Sequence, residues 1–113
     1  MQGFQITFFT QQDRMHGRQP LAQWLLAEAH RLGLRGATLN GALQGTGHDG
    51  AEHAINLFDL SDQPIQVVMV VTEQEDKMLF ARLVESGVRV FYVRTPAMFG
   101  MLGGPDSVGT AQR

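Results

Sequence analysis

The chain has 113 residues, enough for one domain with a single hydrophobic core. Hydrophobic residues make up 43% of it and charged residues 18%, a balance typical of globular proteins and unlike that of disordered or fibrous chains. The absence of cysteine excludes disulfides, thiolate metal sites and a cysteine nucleophile, and the net charge of −2, with basic residues scattered along the chain, argues against nucleic-acid binding.

The first two predicted elements are a strand and a helix. The strand is indicated by apolar residues that alternate with polar ones: Phe4, Ile6 and Phe8. A helix can begin at Pro20, because the N–H that proline lacks has no partner in a first turn. An apolar stripe at helical spacing follows, made of Leu21, Trp24, Leu25, Ala29 and Leu32. Gly33 or Gly36 then ends the helix.

The middle of the chain predicts two or three extended segments around a glycine-rich loop. A second strand starts at Ala37 and runs towards Gly45, where the loop begins. The segment from His53 to Leu60 is again extended in character, and residues 59–64 have turn composition. The β-branched run from Ile65 to Val71 suits a central strand, and it can pair with the preceding segment as a hairpin.

The C-terminal part predicts a second helix and a last strand. Thr72 and Glu75 have the spacing of a capping box, and the helix that they open ends at Gly87. Its apolar stripe consists of Leu79, Phe80, Leu83 and Val84. The last strand runs from Val88 to Arg94, and Thr95 and Pro96 are expected to stop it.

The resulting order, β-α-β-β-α-β, predicts an α+β fold of the ferredoxin-like type, an antiparallel sheet with two helices on one face. The predicted strands carry apolar residues on both faces, since Phe9 follows Phe8 and the valines at 67, 68 and 70 are close together. We therefore expect a partner chain to cover the second face. The domain should span residues 1–102, with 103–113 as a flexible C-terminal tail.

Gly45, Gly47 and Gly50 spell the G-x-G-x-x-G pattern of dinucleotide-binding proteins. That pattern works where the glycines open a helix whose amides face a pyrophosphate, whereas here a strand is expected to follow. Two interpretations stay open. The glycines form either a plain hairpin loop or a loop whose backbone amides bind an anion.

Three histidines, His16, His48 and His53, are candidates for metal binding or proton transfer. Their spacing lacks the i, i+4 pair of many zinc helices, so a surface histidine is the simpler interpretation. No serine occupies a G-x-S-x-G elbow, and neighbouring carboxylates such as Glu73 and Glu75 are explained by helix capping. The sequence therefore predicts a protein that is not an enzyme.

Two arginines of the last predicted strand, Arg89 and Arg94, are separated by an odd number of residues and should point to opposite faces. Arg94 can reach a phosphate group. The alternative is a solvated charge that keeps the edge of the sheet from aggregating.

Several blocks together resemble the family called domain of unknown function 190. These blocks are His16-Gly17-Arg18 with Pro20-Leu21, Gly33-Leu34-Arg35-Gly36-Ala37-Thr38, Gly45-Thr46-Gly47, His53-Ala54, Asp59-Leu60-Ser61-Asp62-Gln63-Pro64-Ile65 and Val88-Arg89-Val90-Phe91. The resemblance extends from about Phe4 to Leu102. The family is similar to the PII signalling proteins, which are ferredoxin-like trimers that bind adenine nucleotides and related small effectors between subunits.

This resemblance implies a homotrimeric signalling protein that binds a small effector, an adenine nucleotide or another anion. A loop at residues 45–52 would report occupancy to a regulated partner protein or transporter. The implied ligand-binding residues are Asn40, Gly41, Gln44, Gly45, Gly47, His53 and Arg94. The alternative is a trimeric divalent-metal-binding protein of the cation-tolerance type, with His48 and His53 as ligands.

We expect the protein to be cytoplasmic. The segment from Met1 to Thr10 lacks the basic and long apolar regions of a secretory signal. The longest apolar stretch, Ile65 to Val71, is far shorter than the ~20 residues that a membrane-spanning helix requires.

Overall fold

A computed structural model describes residues 1–41 and 63–103 of the chain. The elements in chain order are strands β1 (Gln2–Gln11), β2 (Met15–His16) and β3 (Gln19–Pro20), helix α1 (Leu21–Arg31), strands β4 (Ala37–Gly41) and β5 (Pro64–Thr72), helix α2 (Glu73–Ser86) and strand β6 (Phe91–Met98). The predicted glycine-rich loop, the predicted strand from His53 to Leu60 and the tail beyond residue 103 lie outside the described residues.

Four strands form one antiparallel sheet in the order β4-β5-β1-β6. The register sets Ile6 of β1 opposite Met69 of β5 on one side and opposite Arg94 of β6 on the other. The sequence-based prediction of an α+β, ferredoxin-like fold with an antiparallel sheet and two helices is confirmed. In the described part of the chain, β4 and β6 are the edges of the sheet.

One face of the sheet packs against both helices and forms the core. Alternate strand residues on this face have no exposed surface: Ile6, Phe8, Val67, Met69 and Val71. They cluster with buried leucines of the two helices, Leu21, Leu25, Leu79 and Leu83. Burying each of these side chains contributes about 1.5 to 3 kcal/mol, so the alternation in the strands sets which face the helices cover.

The opposite face of the sheet, called here the open face, is also largely apolar. Phe9, Val68 and Val70 are half-buried on it. Phe91 and Val93 of β6 lie on the same face and are 69% and 43% exposed. The second apolar face expected from the sequence is therefore present, and no helix of the described residues packs on it.

Helix α1 starts one residue later than expected. Pro20 is its N-cap, with φ −58° and ψ 139°, and no side chain caps the first turn. The helix ends at Leu32 and Gly33, the first of the two predicted stops, and Gly33 N–H donates to the carbonyl of His30 (3.0 Å).

Helix α2 begins with the predicted capping box. The Thr72 hydroxyl accepts a hydrogen bond from Glu75 N–H (3.1 Å), and the Glu75 carboxylate accepts one from Thr72 N–H (2.9 Å). Gly87 ends the helix with φ 76°, a left-handed conformation that glycine adopts without strain. The predicted apolar stripe is wrong at Val84, which is 79% exposed.

The last strand differs from its prediction at both ends. It starts at Phe91 rather than Val88 and continues through Pro96 to Met98, so Arg89 precedes the strand. Proline fits here because β6 is an edge strand that needs hydrogen-bond donors only towards β1. Phe99 exchanges two backbone hydrogen bonds with Met1. By the alternation of an antiparallel pair, the nitrogen of Pro96 then faces away from β1.

A two-stranded hairpin of β2 and β3 occupies the stretch before α1, where the sequence predicts only a polar connection. Met15 pairs with Pro20, and His16 with Gln19. Strands of two residues are too short to show a period, so sequence alternation does not reveal them.

Candidate functional site

Arg94, the residue expected to bind an anion, lies on the helix-covered side of the edge strand β6. Its Nη1 atom is 3.2 Å from Oδ1 and 3.1 Å from Oδ2 of Asp76, in the first turn of α2. The Asp76 side chain is 10% exposed and that of Arg94 37%. This ion pair joins the edge strand to the helix.

Two aromatic rings lie close to the Arg94 guanidinium. Its central carbon lies 5.1 Å from the ring centroid of Phe4 and 5.1 Å from that of Phe80, both within the range of a cation–π interaction. Because Arg94 is already paired with Asp76, an anion that reaches Arg94 has to compete with this carboxylate.

Asn40 and Gly41 lie at the end of β4, on the other edge of the sheet. Two strands separate β4 from β6, and three spacings of about 4.8 Å place these edges about 14 Å apart. Asn40 pairs with Gln66, which pairs with Phe9 of the open face, whereas Arg94 lies on the helix-covered side. One copy of the chain therefore does not bring Asn40 and Arg94 together.

The other residues predicted to bind a ligand or a metal lie outside the described residues: Gln44, Gly45, Gly47, His48 and His53. Among residues 1–41 and 63–103, no group of three His, Asp or Glu side chains is arranged to hold a metal ion. His16 instead packs against an aromatic ring, with its centroid 4.2 Å from that of Trp24.

A second basic site, not assembled by the sequence analysis, lies where β1 ends and β6 begins. It is a concavity of about 640 Å³ lined by Arg14, Val88, Arg89, Val90 and Phe91, and is called here the Arg14–Arg89 concavity. Arg14 Nη2 donates a hydrogen bond to the carbonyl of Arg89 (3.1 Å). The two arginines are 75 residues apart in the chain, so no local motif indicates that they meet.

In the part of the chain that the structure describes, neither helix has the length and the apolar composition to cross a lipid bilayer.

Comparison with protein families gives one match, which covers most of the chain. Residues 3–93 match the model of DUF190, described as "Uncharacterized ACR, COG1993". No curated protein matches the chain.

Solved structures with a similar fold include PII-like proteins. A PII-like signaling protein from Thermus thermophilus is 23% identical, with 86% of this chain and 88% of that chain covered and a TM-score of 0.59. CPII from Thiomonas intermedia, bound to ADP, AMP and acetate, is 16% identical, with 88% and 90% covered and a TM-score of 0.55. The same protein bound to ADP and bicarbonate is 16% identical, with 89% and 91% covered and a TM-score of 0.56. These likenesses establish a PII-like fold.

Proposed function

This chain belongs to the DUF190 family, and we propose from that membership and its PII-like fold that it is a sensor protein that binds a small anionic effector between copies of itself. The effector in this proposal is an adenine nucleotide. The protein then signals by a change of conformation and carries out no catalytic step.

The observation that carries the proposal is the separation of the predicted ligand residues. Asn40 and Gly41 lie on the β4 edge of the sheet, and Arg94 lies on the β6 edge. When the β4 edge of one copy approaches the β6 edge of the next, Asn40 and Gly41 of the first copy come close to Arg94 of the second. Because this contact joins two different surfaces, it can close into a ring, and we propose a ring of three.

The open face supports the same assembly. Exposed apolar side chains such as Phe91 and Val93 cost free energy in water, and burying them against other copies recovers about 25 cal/mol for each Å² of apolar area. In a ring of three, the open faces turn inwards and cover one another, while the helices stay outside.

The choice of effector comes from the neighbouring structures. CPII was solved with ADP and AMP, and with bicarbonate. We extend nucleotide binding to this chain as part of the proposal, with residues 45–52 reporting occupancy to a partner protein or transporter in the cytoplasm. Gly41, where the described part of β4 ends, pairs with Ile65, two residues after the described chain resumes at Gln63, so these two described ends lie at the same end of the sheet.

Calorimetric titration with ADP and AMP, together with sedimentation velocity, tests the proposal. We expect one ADP bound per chain and the sedimentation coefficient of a trimer. GDP carries the same charge as ADP and serves as the matched control for the base. A well-folded monomer, or heats for ADP that match those for GDP, would contradict the proposal.

Thermal shift with zinc and copper tests the alternative of a metal-binding protein, because a ligand that binds the folded state raises its melting temperature. A rise with metal alone that is lost in His53→Ala would favour the metal-binding alternative over the nucleotide sensor.

A further inference from the structure

An apolar groove lies between the C-terminal half of α2 and the start of β6, and is called here the α2–β6 groove. It has a volume of about 130 Å³, and its walls are formed by Phe80, Leu83, Val84, Val88, Val90 and Tyr92. Phe8, which has no exposed surface, forms its buried end. We propose that this groove is a docking site for a partner protein, which inserts one large apolar side chain into it and places a carboxylate beside Lys77. The proposal goes beyond nucleotide binding and does not depend on it.

Three aromatic rings give the groove its shape. Tyr92 pairs with Phe8 across the sheet, so both side chains lie on the helix-covered side. The ring centroids of Phe8 and Phe80 are 6.2 Å apart, those of Phe8 and Tyr92 6.2 Å, and those of Phe80 and Tyr92 4.9 Å. Aromatic pairs at such distances stabilise one another. The groove is therefore formed before a partner arrives, and binding orders few side chains.

The volume of the groove suits one side chain rather than a whole small molecule. A cavity of about 150 Å³ holds a benzene ring, whereas pockets for drug-sized ligands and cofactors measure roughly 300 to 1,000 Å³. Protein partners commonly anchor themselves by an aromatic or aliphatic side chain that fills a pocket of this kind. We therefore expect a phenylalanine or leucine of a partner protein as the occupant.

The groove opens on the outside of the proposed assembly. Val84, on its rim, is 79% exposed, and Tyr92 is 41% exposed. Both lie on the helix-covered side, whereas Phe91 and Val93, which the proposed ring buries, lie on the open face. Because the helices stay outside in that ring, assembly leaves the groove accessible. Its occupant is therefore a different protein rather than another copy of the chain.

The charge beside the groove favours an acidic partner. Lys77 is exposed, and no carboxylate of the described residues forms an ion pair with it. The nearby Arg82 and Arg94, in contrast, already have carboxylate partners. Glu85, which follows Val84, contacts Arg82 at 3.6 Å. The uncompensated charge next to the groove is thus positive, and a carboxylate of the partner complements it.

The position of Lys77 also predicts the spacing within the partner segment. Lys77 precedes Phe80 by three residues and Val84 by seven, so the three side chains share one stripe of α2. Seven residues of helix span roughly 10 Å. An extended chain rises about 3.3 Å per residue. An extended partner segment should therefore carry its acidic residue about three positions from its apolar anchor.

Selection from a phage-displayed library of random nonapeptides, with the full chain as target and no nucleotide present, tests the proposal. Enriched peptides should combine a phenylalanine or leucine with an aspartate or glutamate at the predicted spacing. Val84→Glu should weaken their binding at least about tenfold in fluorescence anisotropy, because it places a like charge and a polar group on the apolar rim. Lys77→Gln should weaken it about two- to fivefold, the usual effect of losing one exposed ion pair.

Met78→Glu is the matched control. Met78 is 40% exposed on α2 but does not line the groove, so this variant should change the affinity less than about twofold. Absence of any enriched peptide, or peptides that bind Val84→Glu as tightly as the parent chain, would overturn the inference. A lower sedimentation coefficient of Val84→Glu would assign the groove to a second copy and overturn it as well. ADP binding by Val84→Glu should equal that of the parent chain, so failure of the docking site leaves the proposed function standing.

Discussion

Glu28 of α1 and Arg82 of α2 form an ion pair that joins the two helices across 54 residues of sequence. The Nε atom of Arg82 donates to Oε1 of Glu28 (2.9 Å), and the same oxygen accepts from Nη2 of Arg31 (2.6 Å). Glu28 is 7% exposed, so its charge depends on these two arginines in place of water.

Glu28→Gln should lower the free energy of unfolding at pH 7 by about 1 to 3 kcal/mol, because it removes the charged acceptor of the part-buried hydrogen bonds from Arg82 and Arg31. Urea denaturation measures the effect. Glu85→Gln is the matched control, since Glu85 contacts the same Arg82 at 3.6 Å but is 74% exposed, and it should cost less than about 0.5 kcal/mol. Equal losses in the two variants would contradict the structural role of Glu28.

The same ion pair predicts a pH dependence. The hydrogen bond from Arg82 lowers the pKa of Glu28 below its ordinary value of 4.5, with Arg31 adding to the effect and burial opposing it. The stabilisation is therefore complete above about pH 4.5 and is lost as the pH falls through the lowered pKa. The difference in stability between the parent chain and Glu28→Gln should shrink with acidification below that point, as urea midpoints at several pH values would measure. A difference that grows at low pH would contradict the assignment.

Arg94 and Asp76 give a prediction that separates stability from binding. Asp76→Asn should lower the free energy of unfolding by about 1 to 2 kcal/mol, because the partly buried guanidinium loses its charged acceptor. Asp13→Asn, at an exposed position, is the control and should have almost no effect. An Arg94→Gln variant that keeps its stability would contradict the structural role of the ion pair, and loss of ADP binding in this variant would support Arg94 as a ligand residue of the proposed site.

The protein should become more stable when the hydroxyl of Thr10 is removed. The Thr10 Oγ1 atom is buried and has no hydrogen-bond partner among the described residues. Thr10→Val replaces it by a methyl group of similar size and should raise the free energy of unfolding by about 1 kcal/mol. Thr10→Ser keeps the hydroxyl, removes the methyl group and should destabilise. Thermal or urea denaturation compares the three proteins, and a loss of stability in Thr10→Val would indicate a partner for the hydroxyl.

The proposed assembly predicts different outcomes for two exposed valines. Val93, 43% exposed, lies on the open face, and Val84, 79% exposed, lies on α2. Val93→Glu should dissociate the assembly, because it places a charge in the surface that the copies bury. Val84→Glu adds the same charge outside that surface and should leave the sedimentation coefficient unchanged. An unchanged coefficient in Val93→Glu would contradict burial of the open face.

Much of the fold could be predicted from local sequence patterns, because each of these patterns is produced directly by the structural feature that it indicates. The alternation around Ile6 follows from a sheet with one covered face, and the spacing of Thr72 and Glu75 is the capping box itself. The end of the last strand could not be predicted in this way. Whether Pro96 stops a strand depends on whether that strand is at an edge, and strand order is not a local property.

The candidate site was less predictable, because its charges meet across long stretches of sequence. Arg94 is 18 residues from Asp76, and the sequence pattern of a strand does not indicate which helix residue will contact it. Arg14 and Arg89 approach each other only because the end of β1 and the start of β6 are neighbours in the sheet. The strand order, together with the positions of Arg14 and Arg89 in the sequence, would have been enough to suggest that these two residues meet.

Pro96 limits how strands can be added to this sheet from outside. Beyond β6, the outward-facing backbone offers N–H groups at Tyr92, Arg94 and Met98, and Pro96 interrupts this row. A strand from another molecule can extend the hydrogen-bond ladder only over the short run before the proline. The protein can thus leave an apolar edge strand accessible for contact with another copy and still resist the indefinite edge-to-edge addition of strands that leads to fibrils.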